Sequence, residues 1–279
     1  MAYKTLLTIL NSPETGERRI AAASKLAASL DAHLEVLCLG IDIVQIGYYF
    51  AGADAIVQQN SIEQARGRAK EVEAQAKKLL AGSTIRWSTH GIVAQYGALN
   101  DLVAQYARYA DLVVLPKPYG DTATPEHEPI LEAALFSGNA PVLVLPDDGI
   151  PEDFGKRAVI GWNEGAEALN AVRAALPALK ATERTSIAII DPPKHAPEQT
   201  GPGHALSTML DRHGVKAEIA LLPKTTPRVA DVLMQHVNDT NATLLVAGAY
   251  GHSRFRQAIL GGATRDLLTS TTVPVLMAH

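Results

Sequence analysis

The chain has one cysteine in 279 residues, Cys38, so no disulfide can form within it. Its apolar neighbours at 34–39 make it a buried small hydrophobe rather than a nucleophile. No apolar run approaches the roughly 20 residues of a membrane span. The opening residues Met1 to Leu7 lack the charged region, long apolar region and cleavage site of a signal peptide, so a cytoplasmic protein away from membranes is expected. An excess of basic charge is also missing. The formal net charge is −4 and the pI near 6.1, which leaves no global field for nucleic acid or an anionic bilayer. Nor is there a Gly-x-Ser-x-Gly elbow, a His-Glu-x-x-His pair, a lysine closing a glycine-rich phosphate loop, or a Gly-x-Gly-x-x-Gly turn after a strand.

What is present is a globular composition, 47% hydrophobic and 19% charged, with length for one large or two ordinary domains. A continuous apolar strand at 5–10 leads into Ser12-Pro13, a cap followed by a favoured first helical residue. Ile20, Ala23, Ala27 and Leu30 mark one helical face, and 34–39 reads as the next strand. The pattern breaks between Gly40 and Asn60, a segment containing Tyr48, Tyr49 and Phe50, whose cluster is expected to pack. Ile62, Ala65, Ala69, Val72, Ala76 and Leu79 then define the clearest helix. A short strand near 84–87, a helix at 99–109, the strand 112–115, a helix around 130–136 and the strand 141–145 complete the first half.

The second half repeats this order. Strands are expected at 158–163, 186–191, 217–222, 244–247 and 274–277, with helices at 166–176, before Gly214, and at 229–237. Arg212 and His213 suit the end of the helix before Gly214. Five strands per half, joined by helices, predict an α/β chain of two tandem doubly wound domains, each with a five-stranded parallel sheet. The boundaries are 1–146, a polar linker at 147–156, and 157–279.

The stretch 248–264 holds the most chemistry. It follows an apolar strand, contains Gly248, Gly251, Gly261 and Gly262, and runs into a helix whose first N–H groups are free for an anion. Arg254 can add charge, as can Arg256. His252 is as readily a surface residue as a phosphate contact. Gly248, Gly251 and Gly261 stand at the Gly-x2-Gly-x9-Gly spacing of nucleotide-binding universal stress proteins, and Val273 to Leu276 forms the Val-Pro-Val-Leu ending of that family. The chain therefore resembles a tandem of two such domains, with a Rossmann-like fold of the adenine nucleotide alpha hydrolase type.

The resemblance implies a C-terminal site for ATP or a related adenine nucleotide, with Mg accompanying it. Phosphates would meet Gly248, Gly251, His252, Arg254, Gly261, Gly262, Ala263 and Thr264. Adenine would lie near Ile190 and Asp191, and ribose near Asn163, with Gly161 and Trp162 beside it. Two positions depart from the family pattern: Gly262 replaces a Ser or Thr hydroxyl, and Asn163 replaces an Asp. Trp162 can either line the site or occlude it.

The matching loop of the first half, 116–129, has one glycine and the carboxylates Asp121, Glu126 and Glu128, and Pro129 offers no N–H. It is expected not to hold a nucleoside triphosphate. Glu126-His127-Glu128 has the composition of a metal site, but a solvated acidic loop is the favoured reading.

Three functions follow. The first is a stress-response regulatory protein that binds nucleotide in its C-terminal domain and acts on a protein partner. The second is an interaction or structural protein of the same fold without nucleotide. Slow ATP hydrolysis ranks last, because no catalytic base stands beside the loop. The final strands of the two halves are expected to pair within the chain, and a homodimer is a further expectation.

Overall fold

The computed structural model describes residues 2–14, 16–42, 54–192, 201–249 and 262–279. These form two compact units, one comprising Ala2–Leu115 and Pro125–Ala140, the other Pro116–Thr124 and Pro141–His279.

The N-terminal unit is built from β1 (Thr5–Leu10), α1 (Gly16–Leu30), β2 (His33–Asp42), α2 (Asp54–Leu80), β3 (Arg86–Gln95), α3 (Leu99–Ala107), β4 (Leu112–Pro116) and α4 (His127–Glu132). Its strands lie in the order β3-β2-β1-β4 and are parallel. β1 and β4 are buried along nearly their whole length because both faces of these parallel strands are covered. Leu6, Leu7, Ile9, Leu34, Leu37 and Val113 are each 0–1% exposed and form the centre of this core.

The C-terminal unit contains β5 (Val142–Leu145), β6 (Arg157–Gly161), α5 (Ala166–Leu179), β7 (Arg184–Ile190), α6 (His204–Arg212), β8 (Ala217–Leu222), α7 (Val229–Asp239), β9 (Leu244–Gly248), α8 (Gly262–Ser270) and β10 (Val275–Ala278). The order is β5-β10-β9-β6-β7-β8. Neighbours are parallel except β5 and β10, which pair antiparallel with Val275 opposite Val144 and Met277 opposite Val142. The last strands of the two sequence halves thus pair within the chain, as their apolarity requires of strands that would otherwise offer an open edge. That pairing also places β5, which ends the first half in sequence, in the C-terminal unit.

Several elements differ from their sequence reading. β3 runs ten residues rather than four, paired along its whole length with β2. It is the outer strand of its unit and carries polar side chains at half-exposed positions, so no apolar run announces it. In α2 the buried stripe is Ala65, Ala69, Val72, Ala76 and Leu80, while Leu79 is 36% exposed. The step of four from Ala76 lands on Leu80, which keeps the stripe on one face. α1 begins at Gly16. Ser12 instead closes a local turn, its hydroxyl accepting the Glu14 N–H at 3.3 Å. α5 continues through Pro177 to Leu179. Tyr48, Tyr49 and Phe50 lie outside the described residues.

Candidate functional site

In the C-terminal unit the register sets Gly161 of β6 between Ala188 of β7 and Ala247 of β9. The residues following each strand, Trp162 and Asn163, Asp191, and Gly248 at the end of β9, therefore share the carboxyl edge of one parallel sheet. Open α/β sheets bind ligands at that edge.

Trp162 continues the ladder, its N–H donating to the Ala188 carbonyl at 2.9 Å. The ring is half-buried, and its indole N–H is sealed from solvent with no hydrogen-bond partner among the described residues. Leaving such a donor unmet costs about 1–3 kcal/mol. Asn163 is exposed and its Oδ1 accepts the Gly165 N–H at 3.0 Å, closing an Asx turn that leads into α5. Its amide NH2 then remains the group available to a ligand. Asp191 is exposed with φ +49°, and its N–H donates to the Leu222 carbonyl at 2.9 Å, while Ile190 beside it is half-buried.

The two described glycines of the stretch 248–264 have different duties. At Gly248 a Cβ would stand 2.5 Å from the Ala168 nitrogen and 2.8 Å from the Glu167 carbonyl carbon, so the first turn of α5 leaves room for hydrogen only. At Gly262, the first residue of α8, a Cβ would meet nothing within 4 Å. Packing therefore demands glycine at Gly248 and leaves Gly262 open. Ala263 is exposed beside it, and Thr264 is buried at 8%. Gly251, His252, Arg254 and Gly261 lie outside the described residues.

Arg265, in the first turn of α8, has its guanidinium 5.1 Å from the centre of the Tyr119 ring. Tyr119 belongs to the segment 116–124, the loop that follows β4. Lys117 anchors the same segment through a 2.7 Å ion pair to Asp147. These contacts join residues far apart in the chain, and no local pattern signals them.

At the corresponding edge of the N-terminal unit, Asn11 after β1 donates from Nδ2 to Glu126 at 3.2 Å. Next to it, Arg19 of α1 and His127 of α4 meet at 2.7 Å, and both are buried. Because arginine can only donate, His127 Nε2 is the acceptor and the ring is neutral, with its proton on Nδ1. Burial, reinforced by the Arg19 charge, pushes the His127 pKa down to about 4, and burial lowers that of Arg19 to about 10. The reading of 126–128 as a solvated acidic loop is corrected at His127, which is 4% exposed. His127, Ile130 and Leu131 stand at helical spacing, so one face of α4 turns inward and takes the imidazole with it. Among the described residues no cluster of three metal-ligating side chains occurs.

An open, mostly parallel sheet with helical connections and a glycine-bearing strand end packed on a helix start defines a doubly wound α/β fold. Residues 156–279 match the model of the universal stress protein family. It is 34% identical to the universal stress protein Slr1230 of a Synechocystis species over 68 residues. That match covers 24% of this chain and 23% of the relative, so the chain spans under a quarter of that protein's length. In structure it is similar to a universal stress protein from Archaeoglobus fulgidus, with TM-score 0.69 and 14% identity over 98% of this chain and 95% of that one. A shorter A. fulgidus universal stress protein, solved in complex with dAMP, matches 52% of this chain and 98% of its own at 16% identity and TM-score 0.32.

Proposed function

We propose that the chain is a tandem universal stress protein whose second domain, 157–279 after a linker at 147–156, binds ATP or a related adenine nucleotide, with Mg on its phosphates. In this reading the first domain, 1–146, does not. The observation that supports it most is the indole N–H of Trp162, sealed and without a partner among the described residues, at the sheet edge where the ligand is expected. A ligand oxygen or ring nitrogen there would satisfy it. Gly262 adds open space at the start of α8, where the helix dipole favours phosphate.

Asn163, with its Oδ1 held by Gly165, offers N–H groups to the sugar where a carboxylate would accept from it. Adenine lies against Ile190 and Asp191, and phosphates run along Gly248, Gly251, His252, Arg254, Gly261, Gly262, Ala263 and Thr264. No group is assigned to catalysis. Binding regulates a protein partner in the cytoplasm, and whole chains associate as homodimers.

The second reading is an interaction protein of the same fold without nucleotide. It is favoured by the same Asn163 contact, which commits the side chain to its own turn.

Calorimetric titration of ATP, with and without Mg, into the full chain and its Gly261→Asp variant tests the proposal. Binding by the wild type that the variant loses is expected. No binding by the wild type leaves the second reading, and turnover of the bound ATP would refute the absence of catalysis.

A further inference from the structure

The buried cation of the N-terminal unit has no anionic partner among the described residues. Arg19 is 8% exposed, and its partner among the described residues is the neutral ring of His127. Each of the eight ion pairs of the described residues joins other groups, and burial is the one influence on Arg19's own ionisation. An uncompensated charge at such depth is strongly unfavourable unless something supplies the opposite sign. A neutral imidazole orients the guanidinium but does not neutralise it. One edge of the guanidinium is fixed by His127, and its planar donors suit the two oxygens of a carboxylate or phosphate.

Position and surrounding charge select between these. α1 follows the carboxyl end of β1 and α4 follows that of β4, so Arg19 and His127 lie at the ligand-binding edge of their sheet. Glu126 already holds Asn11 there. Glu128 and Glu132 sit on α4, and the carboxyl of Glu132 is raised by burial and by Glu128. Carboxylates on the helix that carries His127, and at the residue before it, disfavour a dianion at this edge. We propose that Arg19, oriented by His127, is the seat of a small singly charged carboxylate ligand, distinct from any nucleotide of the C-terminal domain.

The test is a titration of the full chain with sodium acetate at pH 7.5 and constant ionic strength, with phosphate as the doubly charged control. Binding is read from the His127 imidazole resonance, assigned by its absence in His127→Gln, and from the thermal midpoint. A saturable shift in the millimolar range is expected, weakened at least tenfold in Arg19→Gln and strengthened in Glu126→Gln. Arg19→Lys, which keeps the charge and loses the fork, serves if Arg19→Gln does not fold, and is expected to bind several-fold more weakly. A linear, unsaturating response that is the same in wild type and Arg19 variants would overturn the proposal. So would phosphate binding as tightly as acetate.

Discussion

The Arg265 guanidinium lies 5.1 Å from the centre of the Tyr119 ring, joining the loop after β4 to the first turn of α8. That turn contains no acidic residue, and a cation near a helix N-terminus opposes the macrodipole. The negative face of the ring offsets this. A double-mutant cycle of Tyr119→Leu and Arg265→Gln should return a coupling of about 0.5–1 kcal/mol in urea unfolding. A coupling near zero would mean that the stacking contributes nothing to stability.

Gly248 and Gly262 make opposite demands of an added methyl. Gly248→Ala forces a Cβ to 2.5 Å from the Ala168 nitrogen and should cost about 1–3 kcal/mol as β9 and α5 move apart. Gly262→Ser meets no atom and should leave the stability within about 0.5 kcal/mol. If the C-terminal domain binds ATP, the serine should tighten it by roughly threefold to tenfold, the worth of about one hydrogen bond. Denaturant midpoints and ATP titrations of the two variants check both statements.

His127 makes stability depend on pH. Its folded pKa of about 4 lies below the ordinary value of 6.5, so between those values the unfolded chain binds the proton and the folded chain does not. Stability is therefore full above about 6.5 and falls as the pH drops toward about 4, by up to about 3 kcal/mol from this group. His127→Gln should flatten the urea-derived stability profile across that window. An unchanged profile would show that His127 titrates in the folded state as it does in the unfolded one.

Cys38 is fully buried in β2, and its thiol is pushed up to about 12, first by burial and then by Glu73. A thiol reagent at pH 8 should label it only as fast as the chain opens. Rapid labelling of the native protein would contradict its place in the core.

Much of the frame is legible residue by residue. The apolar runs of β1, β4, β6 and β9 are buried on both faces, and such runs stand out in any window of the sequence. β8 falls on Ala217–Leu222, the span its residues mark. β3 is the least legible strand, because an outer strand tolerates half-exposed polar residues such as Thr89 and His90 in place of an apolar run. In the candidate site the glycine spacing marks Gly248, and Gly262 stands out as the departure from the pattern, but neither shows that packing requires glycine at one and not the other, since that difference lies in Glu167 and Ala168 of another element.

Periodicity determined the elements, their order and the repeat of the two halves, because helix and strand are set by side chains a few residues apart. Pairing across long separations belonged to the tertiary structure. Arg19 and His127 are 108 residues apart and Asn11 and Glu126 are 115, and neither member of either pair carries a local sign of the other. Only folding decided that His127 would be neutral and buried, that Asn163 would spend its oxygen on Gly165, and that the Trp162 N–H would be left without a partner among the described residues. Burial and hydrogen bonding depend on which surfaces the sheet brings together, and that is a property of the whole chain.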